Sequence, residues 1–141
     1  MRLRSLLFVP GDRPERFAKA AASGADAIIL DLEDSVSLAN KDAARHAIAD
    51  YLSGTREVVT LVRVNPLDGH LTAADVAAII GARPDAIMLP KAEGAPSIQQ
   101  LDTILRSESA ADASLPAILP IAAGKSSAPQ VRPISRSLTS R

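Results

Sequence analysis

Five short runs of hydrophobic residues are distributed along the chain, with longer amphipathic segments between them. The runs cover residues 3–9, 25–32, 58–64, 86–89 and 115–121. They are apolar throughout rather than alternating, which is typical of strands covered on both faces in a parallel sheet. The intervening segments carry apolar residues at helical spacing, and they predict helices from Pro14 to near Gly24 and over 41–52, 72–80 and 97–105.

The helical spacing also predicts which side chains face the sheet. The expected inner residues are Phe17, Ala18, Ala21 and Ala22 in the first helix and Ala73, Val76, Ala77 and Ile80 in the third. Gly24 and Gly81 follow these two segments, and we expect the helices to end there because glycine tolerates the backbone conformations that stop a helix.

The order of predicted elements is βαβαβαβαβ, which indicates an α/β fold with a parallel sheet. Two closures fit this order, an open doubly wound sheet or part of an eight-stranded barrel. The turn over residues 10–14 contains one glycine, so it lacks the glycine-rich fingerprint of a dinucleotide-binding fold. A complete barrel needs about 200–250 residues. We therefore expect a partial (β/α)8 TIM barrel of about four βα units plus a fifth strand.

Composition fits one globular domain and excludes several classes of site. Of 141 residues, 47% are hydrophobic and only 2% aromatic, so the core is built from Ala, Val, Ile and Leu. The absence of cysteine excludes disulfides, thiolate metal sites and a cysteine nucleophile. No apolar run approaches the roughly 18–20 residues of a membrane span, and Pro10 cuts the first run short of a secretion signal. We expect a soluble, cytoplasmic protein without a membrane partner.

Charge is divided unevenly along a chain whose formal net charge is zero. Residues 1–122 hold all sixteen acidic and twelve of the sixteen basic residues, a formal charge of −4. Residues 123–141 hold four basic residues and no acid, and they are rich in Ser and Pro. Such a segment cannot bury enough apolar surface to offset the entropy of ordering it. The sequence predicts a folded body over 1–122 and a disordered basic tail over 123–141, and the lack of an overall basic excess argues against a nucleic-acid partner.

Polar residues follow the second, third and fourth apolar runs, where parallel strands bring their carboxyl ends to one edge of the sheet. They are Asp31, Glu33, Asp34, Arg63, Asn65, Lys91 and Glu93. The acids Asp31, Glu33 and Asp34 fit either solvated caps of the following helix or a ligand site. Arg63 lies between Val62 and Val64, and a buried guanidinium needs an internal or a ligand carboxylate as its partner. For Lys91 the pattern favours an ion pair with the nearby acids over a Schiff-base nucleophile.

Four motifs, in this order, resemble those of the citrate lyase β-subunit-like proteins of the HpcH/HpaI aldolase superfamily, whose relatives include malyl-CoA and citramalyl-CoA lyases. The motifs are RSLLFVPGDRPER from Arg4, ILDLEDSV from Ile29, RVNP from Arg63 and LPKAE from Leu89. The resemblance covers about residues 3–122. It implies a (β/α)8 barrel, usually oligomeric, that uses Mg²⁺ to cleave a carbon–carbon bond of citryl, malyl or citramalyl thioesters on CoA or an acyl carrier.

The resemblance also implies roles for the residues at matching positions. The arginine at the Arg63 position holds the substrate carboxylate in a forked contact. The loop with Asp31, Glu33 and Asp34 lies near the metal-bound water and the substrate in a supporting role. The other supporting candidates are Asn65, Lys91 and Glu93. We expect Arg63 at the carboxyl end of the third strand beside Asp31 and Glu33. We do not expect a bidentate pair with either acid, because it would occupy the fork that the substrate needs.

The sequence departs from the family pattern after the fifth run. Family members continue into a metal-binding glutamate there and carry an aspartate after the next strand, whereas this chain has no acid from Ala113 to Arg141. The resemblance therefore implies Mg²⁺ for the family but no metal ligand in this chain. We interpret the change of composition at residue 123 as truncation, by a premature gene end or out-of-frame translation. Two functions follow: a lyase by family that is inactive as this chain, or a non-catalytic remnant that keeps a substrate-binding site.

Overall fold

The computed structural model describes residues 2–122, which form five parallel strands and four α-helices. The strands are β1 Leu6–Pro10, β2 Ala27–Asp31, β3 Val59–Arg63, β4 Ala86–Ala92 and β5 Ala117–Ala122. The helices are α1 Phe17–Ala21, α2 Lys41–Ser53, α3 Thr72–Ile79 and α4 Ala95–Glu108. Short 3-10 turns at Pro14–Arg16, Leu38–Asn40, Leu67–Gly69 and Ile80–Ala82 flank the helices. The predicted order is confirmed, and the predicted tail over 123–141 lies outside the described residues.

The order of strands in the sheet decides between the two closures that the sequence left open. The strands pair in chain order, β1-β2-β3-β4-β5, and all four pairs are parallel. A doubly wound sheet reverses its strand order at a switch point, whereas a (β/α)8 barrel adds each strand beside the previous one. The fold is therefore α/β of the TIM-barrel type, with part of the barrel present in the described residues.

Two apolar clusters cover the two faces of the sheet. The larger lies between the outward-facing strand residues and the helices, and it includes Leu30, Val62, Ile48, Val76 and Leu101. The smaller lies on the inward face and contains Ala27, Ile29, Leu61, Ala86, Met88 and Leu119. The double covering explains why the strand sequences are apolar throughout. Among residues 2–122, no helix combines the length and the apolarity needed to cross a membrane.

Two helices present a different face from the one predicted. In α1, Ala18 and Ala22 are exposed and Ala20 is buried instead, because the preceding 3-10 turn over Pro14–Arg16 changes the helical phase. In α3, Ala73 and Ala77 are exposed. The buried residues of α3 are Thr72, Asp75, Val76 and Ile79, since Asp75 turns inward to hydrogen-bond partners described below.

The fourth strand is longer than predicted. It continues past residue 89 through Pro90 and Lys91 to Ala92, with a register irregularity between Leu89 and Ala92. Lys91 has a φ of 53°, a left-handed conformation that is uncommon for a residue other than glycine. The irregularity thus places Lys91 near the carboxyl end of β4, at the edge of the sheet where β2 and β3 end in Asp31 and Arg63.

Candidate functional site

The carboxyl ends of β2 and β3 place Asp31 beside Arg63, since the two residues are register partners. Arg63 Nε donates to Asp31 Oδ1 at 2.7 Å, and Arg63 Nη2 donates to Asp31 Oδ2 at 2.8 Å. The predicted position of Arg63 is confirmed, but the prediction that it avoids a bidentate pair is wrong. Asp31 is 1% exposed, and a carboxylate so deeply buried requires the charged partner that Arg63 supplies.

The pair with Asp31 leaves one edge of the Arg63 guanidinium open. A guanidinium has five N–H donors, and Asp31 takes the Nε–H and one N–H of Nη2. Nη1 lies 3.5 Å from Glu33 Oε1, an ion-pair distance, and the Arg63 side chain is 20% exposed. The edge formed by Nη1 and Nη2 can therefore accept a second carboxylate that approaches in the guanidinium plane.

Phe8 covers the face of the same guanidinium. Its ring centroid lies 4.7 Å from Arg63 Cζ, which is a cation–π contact. Phe8 and Asp31 together fix the guanidinium from two directions, one through the ring face and one through hydrogen bonds. Sequence reasoning missed this role, although Phe8 is one of only two phenylalanines in the chain and opens the FVPG segment.

Asp31 stays ionised because its hydrogen bonds outweigh its burial. Burial acts to raise its pKa, but hydrogen bonds from Arg63, from the Ser35 hydroxyl and from the backbone N–H groups of Glu33 and Ser35 lower the pKa to about 2. The same hydrogen bonding with Asp31 raises the pKa of Arg63. Asp31 and Arg63 therefore form a permanent ion pair and do not exchange protons with a ligand near neutral pH.

Glu33 is the second buried acid of the site. It is 6% exposed, and its Oε2 lies 4.0 Å from Lys91 Nζ. Oε2 has no hydrogen-bond partner among the described residues. Burial raises the pKa of Glu33, an effect that the charges of Arg63 and Lys91 oppose. Unlike Asp31, Glu33 is therefore a group whose protonation can respond to a ligand.

The remaining predicted residues divide between the site and its surroundings. Lys91 makes the predicted ion pair with Glu33, and its side chain is 61% exposed. Asp34 is exposed at the rim. Glu93 is also exposed, and its backbone N–H donates to Ser97 Oγ at 2.9 Å. No hydrogen bond or ion pair within residues 2–122 joins Glu93 to the Asp31–Arg63 pair, so the structure does not bring it into the cluster.

Asn65 is buried and is hydrogen-bonded to Asp75 rather than to the Asp31–Arg63 pair. Its backbone N and its Nδ2 donate to Asp75 Oδ2 at 2.7 and 2.8 Å. Asp75 is completely buried, and its Oδ1 accepts from Arg45 Nε at 2.8 Å. This network fixes the turn that follows β3. Sequence reasoning missed Asp75 and Arg45, because their helical spacing alone does not show that both turn inward.

A cavity of about 330 Å³ opens beside this cluster. The loop after β2, residues 31–36 and here called the acidic loop, lines it with Glu33, Asp34 and Val36. The turn after β3 contributes Asn65, Pro66, Gly69 and Leu71, and the other lining residues are Lys41 and Lys91. The cavity thus lies between the acidic loop and the β3 turn, with Glu33 connecting it to Arg63.

The described residues do not fit a resident Mg²⁺. Within 2–122 no three His, Cys, Asp or Glu side chains are grouped to hold a metal ion. The unsatisfied oxygen Glu33 Oε2 offers one hard donor, but Lys91 lies 4.0 Å from it and Arg63 3.5 Å from its partner oxygen. Two cations at such distances repel a third, so this carboxylate alone does not make a cation site.

Comparisons with known proteins show which family the chain is similar to. A profile of the HpcH/HpaI aldolase/citrate lyase family matches residues 4–128. The citrate lyase subunit beta of Leuconostoc mesenteroides subsp. cremoris is 41% identical over 106 residues, which are 72% of this chain and 34% of that protein. The L-malyl-CoA/beta-methylmalyl-CoA lyase of Cereibacter sphaeroides is 41% identical over 108 residues, with the same coverage. The chain thus spans about a third of the length of these relatives.

A solved structure is similar to this chain in both fold and sequence. The citrate lyase beta subunit from M. tuberculosis, complexed with oxaloacetate and magnesium, superposes with a TM-score of 0.67 and 39% identity. The match covers 83% of this chain and 46% of that one. The residues that the family profile matches include Asp31, Glu33 and Arg63. The chain belongs to the HpcH/HpaI aldolase/citrate lyase family.

Proposed function

We propose that this chain binds the carboxylate of a citryl, malyl or citramalyl thioester, as the carboxylate-recognising part of a carbon–carbon lyase site. The observation that carries the proposal is the open Nη1–Nη2 edge of Arg63, whose plane Asp31 and Phe8 hold in place. Planar, two-point recognition of a carboxylate is the task for which arginine is suited and lysine is not. The relatives that are citrate lyase beta subunits and malyl-CoA lyases support the substrate class.

Cleavage needs more than carboxylate recognition. Breaking the carbon–carbon bond leaves an enolate, and a divalent cation supplies stabilisation of its oxyanion when one is bound. In this chain Arg63 binds and orients the carboxylate, Asp31 and Phe8 orient Arg63, and the acidic loop closes one side of the cavity. The sequence holds no acid after Asp112 to add a metal carboxylate. We therefore assign the chain a binding function and expect no turnover of malyl-CoA or citryl-CoA approaching about 1 s⁻¹, an ordinary enzyme rate.

Binding of oxaloacetate to ¹⁵N-labelled chain, followed by NMR titration, tests this function. Arg63→Ala is expected to weaken binding by about tenfold or more, and Arg63→Lys by less, because lysine keeps the charge but loses the fork. Arg106→Ala, at an exposed arginine of α4, is the matched control and should leave affinity unchanged. Circular dichroism establishes that each variant is folded. An Arg63→Ala affinity within about twofold of the parent, or ~0.4 kcal/mol, contradicts the role of Arg63.

A second candidate function is the complete lyase, with the metal carboxylates supplied by another polypeptide segment. The share of the relatives that this chain covers, 34% of each, favours it. Joining the remaining barrel strands of a relative after Ile121 tests the idea. Restored, Mg²⁺-dependent cleavage of malyl-CoA supports a competent half-site, whereas a folded but inactive hybrid argues for a remnant that only binds.

A further inference from the structure

Glu33 lies among four charged side chains, two positive and two negative. Its neighbours are Arg63 from β3, Lys91 from β4, and Asp31 and Asp34 from its own loop. From α2, Lys41 approaches, but its Nζ is held by the backbone carbonyls of Leu32, Glu33 and Val36. The turn after β3 lines the cavity with uncharged residues, Asn65, Pro66, Gly69 and Leu71.

A ligand carboxylate changes the net charge of the ion-paired residues from zero to −1. In the unliganded protein the negative charges of Asp31 and Glu33 are balanced by the positive charges of Arg63 and Lys91. A carboxylate on the Nη1–Nη2 edge adds a third negative charge close to Glu33 Oε1, which is 3.5 Å from Nη1. The ligand carboxylate and Glu33 would then both lie beside Nη1, and two ionised carboxylates at that distance repel each other.

We propose that binding of a carboxylate at Arg63 takes up one proton, which Glu33 Oε2 holds and donates to the ligand. This inference rests on the proposed function, because it requires a carboxylate at the Arg63 edge. The balance is simple: a ligand carboxylate, a Glu33 carboxylate and one proton from solvent give a carboxylic acid that hydrogen-bonds a carboxylate. The site then holds two negative and two positive charges. The ligand is bound as a carboxylate anion beside a neutral Glu33 side chain.

Two features of the free protein prepare Glu33 for this role. Oε2 is buried without a hydrogen-bond partner, so it is the oxygen that gains most by acquiring a proton and a ligand acceptor. Burial already raises the pKa of Glu33, which reduces the cost of protonating it near neutral pH. Asp31 is unsuited to the same role because both of its oxygens already accept hydrogen bonds, from Arg63, from Ser35 and from the backbone N–H of Glu33.

The test is calorimetric titration of the full chain with pyruvate, a 2-oxo acid with a single carboxylate, in EDTA-containing buffers. Pairs of buffers with different ionisation enthalpies at pH 7.5 report the number of protons taken up on binding. We expect this number to approach one proton per pyruvate bound. From pH 6 to 8.5 the affinity should fall toward tenfold per pH unit, because the bound state holds one more proton than the free state. Glu33→Gln should abolish both the uptake and the slope.

Glu108→Gln, the same chemical change at an exposed position of α4, should retain the behaviour of the parent chain. His46 and His70 remain in Glu33→Gln, so their titration cannot account for a difference between the variants. Proton uptake is measured on the unaltered chain and does not depend on the variant folding. Pyruvate binding without proton uptake, and with an affinity independent of pH, overturns this inference and leaves the function proposed for Arg63 intact. Absence of Arg63-dependent binding overturns both.

Discussion

Lys41 Nζ lies 2.7 Å from the carbonyl oxygen of Leu32, and this contact ties the start of α2 to the acidic loop. The same ammonium donates to the carbonyls of Glu33 and Val36 at 3.1 and 3.2 Å. Lys41 is 8% exposed, so its charge is stabilised by three backbone dipoles rather than by solvent. One buried lysine thus determines the path of the loop that presents Glu33 to Arg63.

Lys41→Met should destabilise the fold and loosen this loop. Three buried carbonyls lose their donor, and we expect a loss of about 2–4 kcal/mol in the free energy of unfolding. Urea denaturation measures it, and amide exchange of residues 33–36 should accelerate. Lys19→Met, at an exposed lysine of α1, is the matched control and should change stability by less than about 0.5 kcal/mol. Equal stability of the two variants would mean that Lys41 does not hold the loop.

Gly11 packs directly against the backbone of Asp31. Its N–H donates to the Asp31 carbonyl at 2.8 Å, and a Cβ at this position would lie 2.5 Å from the same oxygen. Gly11→Ala should therefore displace the end of β2 and cost about 2–3 kcal/mol. In the control Gly81→Ala the new methyl group meets nothing within 4 Å, so the free energy of unfolding should hardly change. Thermal unfolding of both variants measures the change in stability. A Gly11→Ala variant as stable as the parent chain contradicts the close approach of Gly11 to Asp31.

The Asp31–Arg63 pair makes stability depend on pH in the acid range. The pKa of Asp31 is about 2 in the folded chain against 3.8 ordinarily, so its contribution is fully present above about pH 4 and is lost as pH falls through 2. The free-energy difference between the parent chain and Asp31→Asn should shrink by about 2 kcal/mol from pH 6 to pH 2. For Asp50→Asn, at an exposed aspartate of α2, the difference in free energy of unfolding from the parent chain should stay nearly constant over that range. Urea titrations at each pH provide the comparison.

The parts of this fold that follow from local pattern could be predicted from the sequence. Continuous apolar runs predict buried strands because both sheet faces are covered, and the order of elements along the chain and the position of Arg63 at a strand end follow from the same pattern. The order of strands within the sheet did not follow, since the pattern left two closures open. The pairing of Arg63 with Asp31 and the stacking of Phe8 could not be predicted, because they depend on which residues the register places side by side on the inward face. The face of α3 was missed for a similar reason, since the buried Asp75 on that helix is explained by Arg45 on α2 and by Asn65 in the turn after β3.

Leu7 and Phe8 are large apolar residues of β1 that remain 39% and 46% exposed. Within residues 2–122, β1 pairs with β2 on one side only, so its other edge presents unpaired backbone groups. We expect the purified chain to self-associate through this edge. Leu7→Lys should raise the monomer fraction measured by size-exclusion chromatography with light scattering. Leu38→Lys, at a residue 74% exposed in a 3-10 turn, should not. A monomeric parent chain contradicts this prediction.

Asp75 and Asp102 provide a matched comparison of a buried and an exposed ion pair. Asp75 is completely buried and accepts hydrogen bonds from Arg45 and Asn65, whereas Asp102 pairs with Arg106 at 2.8 Å with both side chains substantially exposed. Asp75→Asn should cost about 2–3 kcal/mol, because it leaves the buried Arg45 with only the exposed Asp42 as a charged partner. An amide also replaces the carboxylate that accepts from the backbone and side chain of Asn65. Asp102→Asn should cost less than about 0.5 kcal/mol, since solvent screens that pair.

The double variant Asp75→Leu/Arg45→Leu separates loss of the ion pair from loss of the turn after β3. Replacing both charges should recover part of the stability lost in Asp75→Asn, because no buried charge is then left unpaired. Asn65 still loses its acceptor, so amide exchange of residues 65–71 should stay faster than in the parent chain. Urea denaturation and amide exchange together make the test. Full recovery of protection at 65–71 would show that Asp75 stabilises the helices and does not hold the turn beside Arg63.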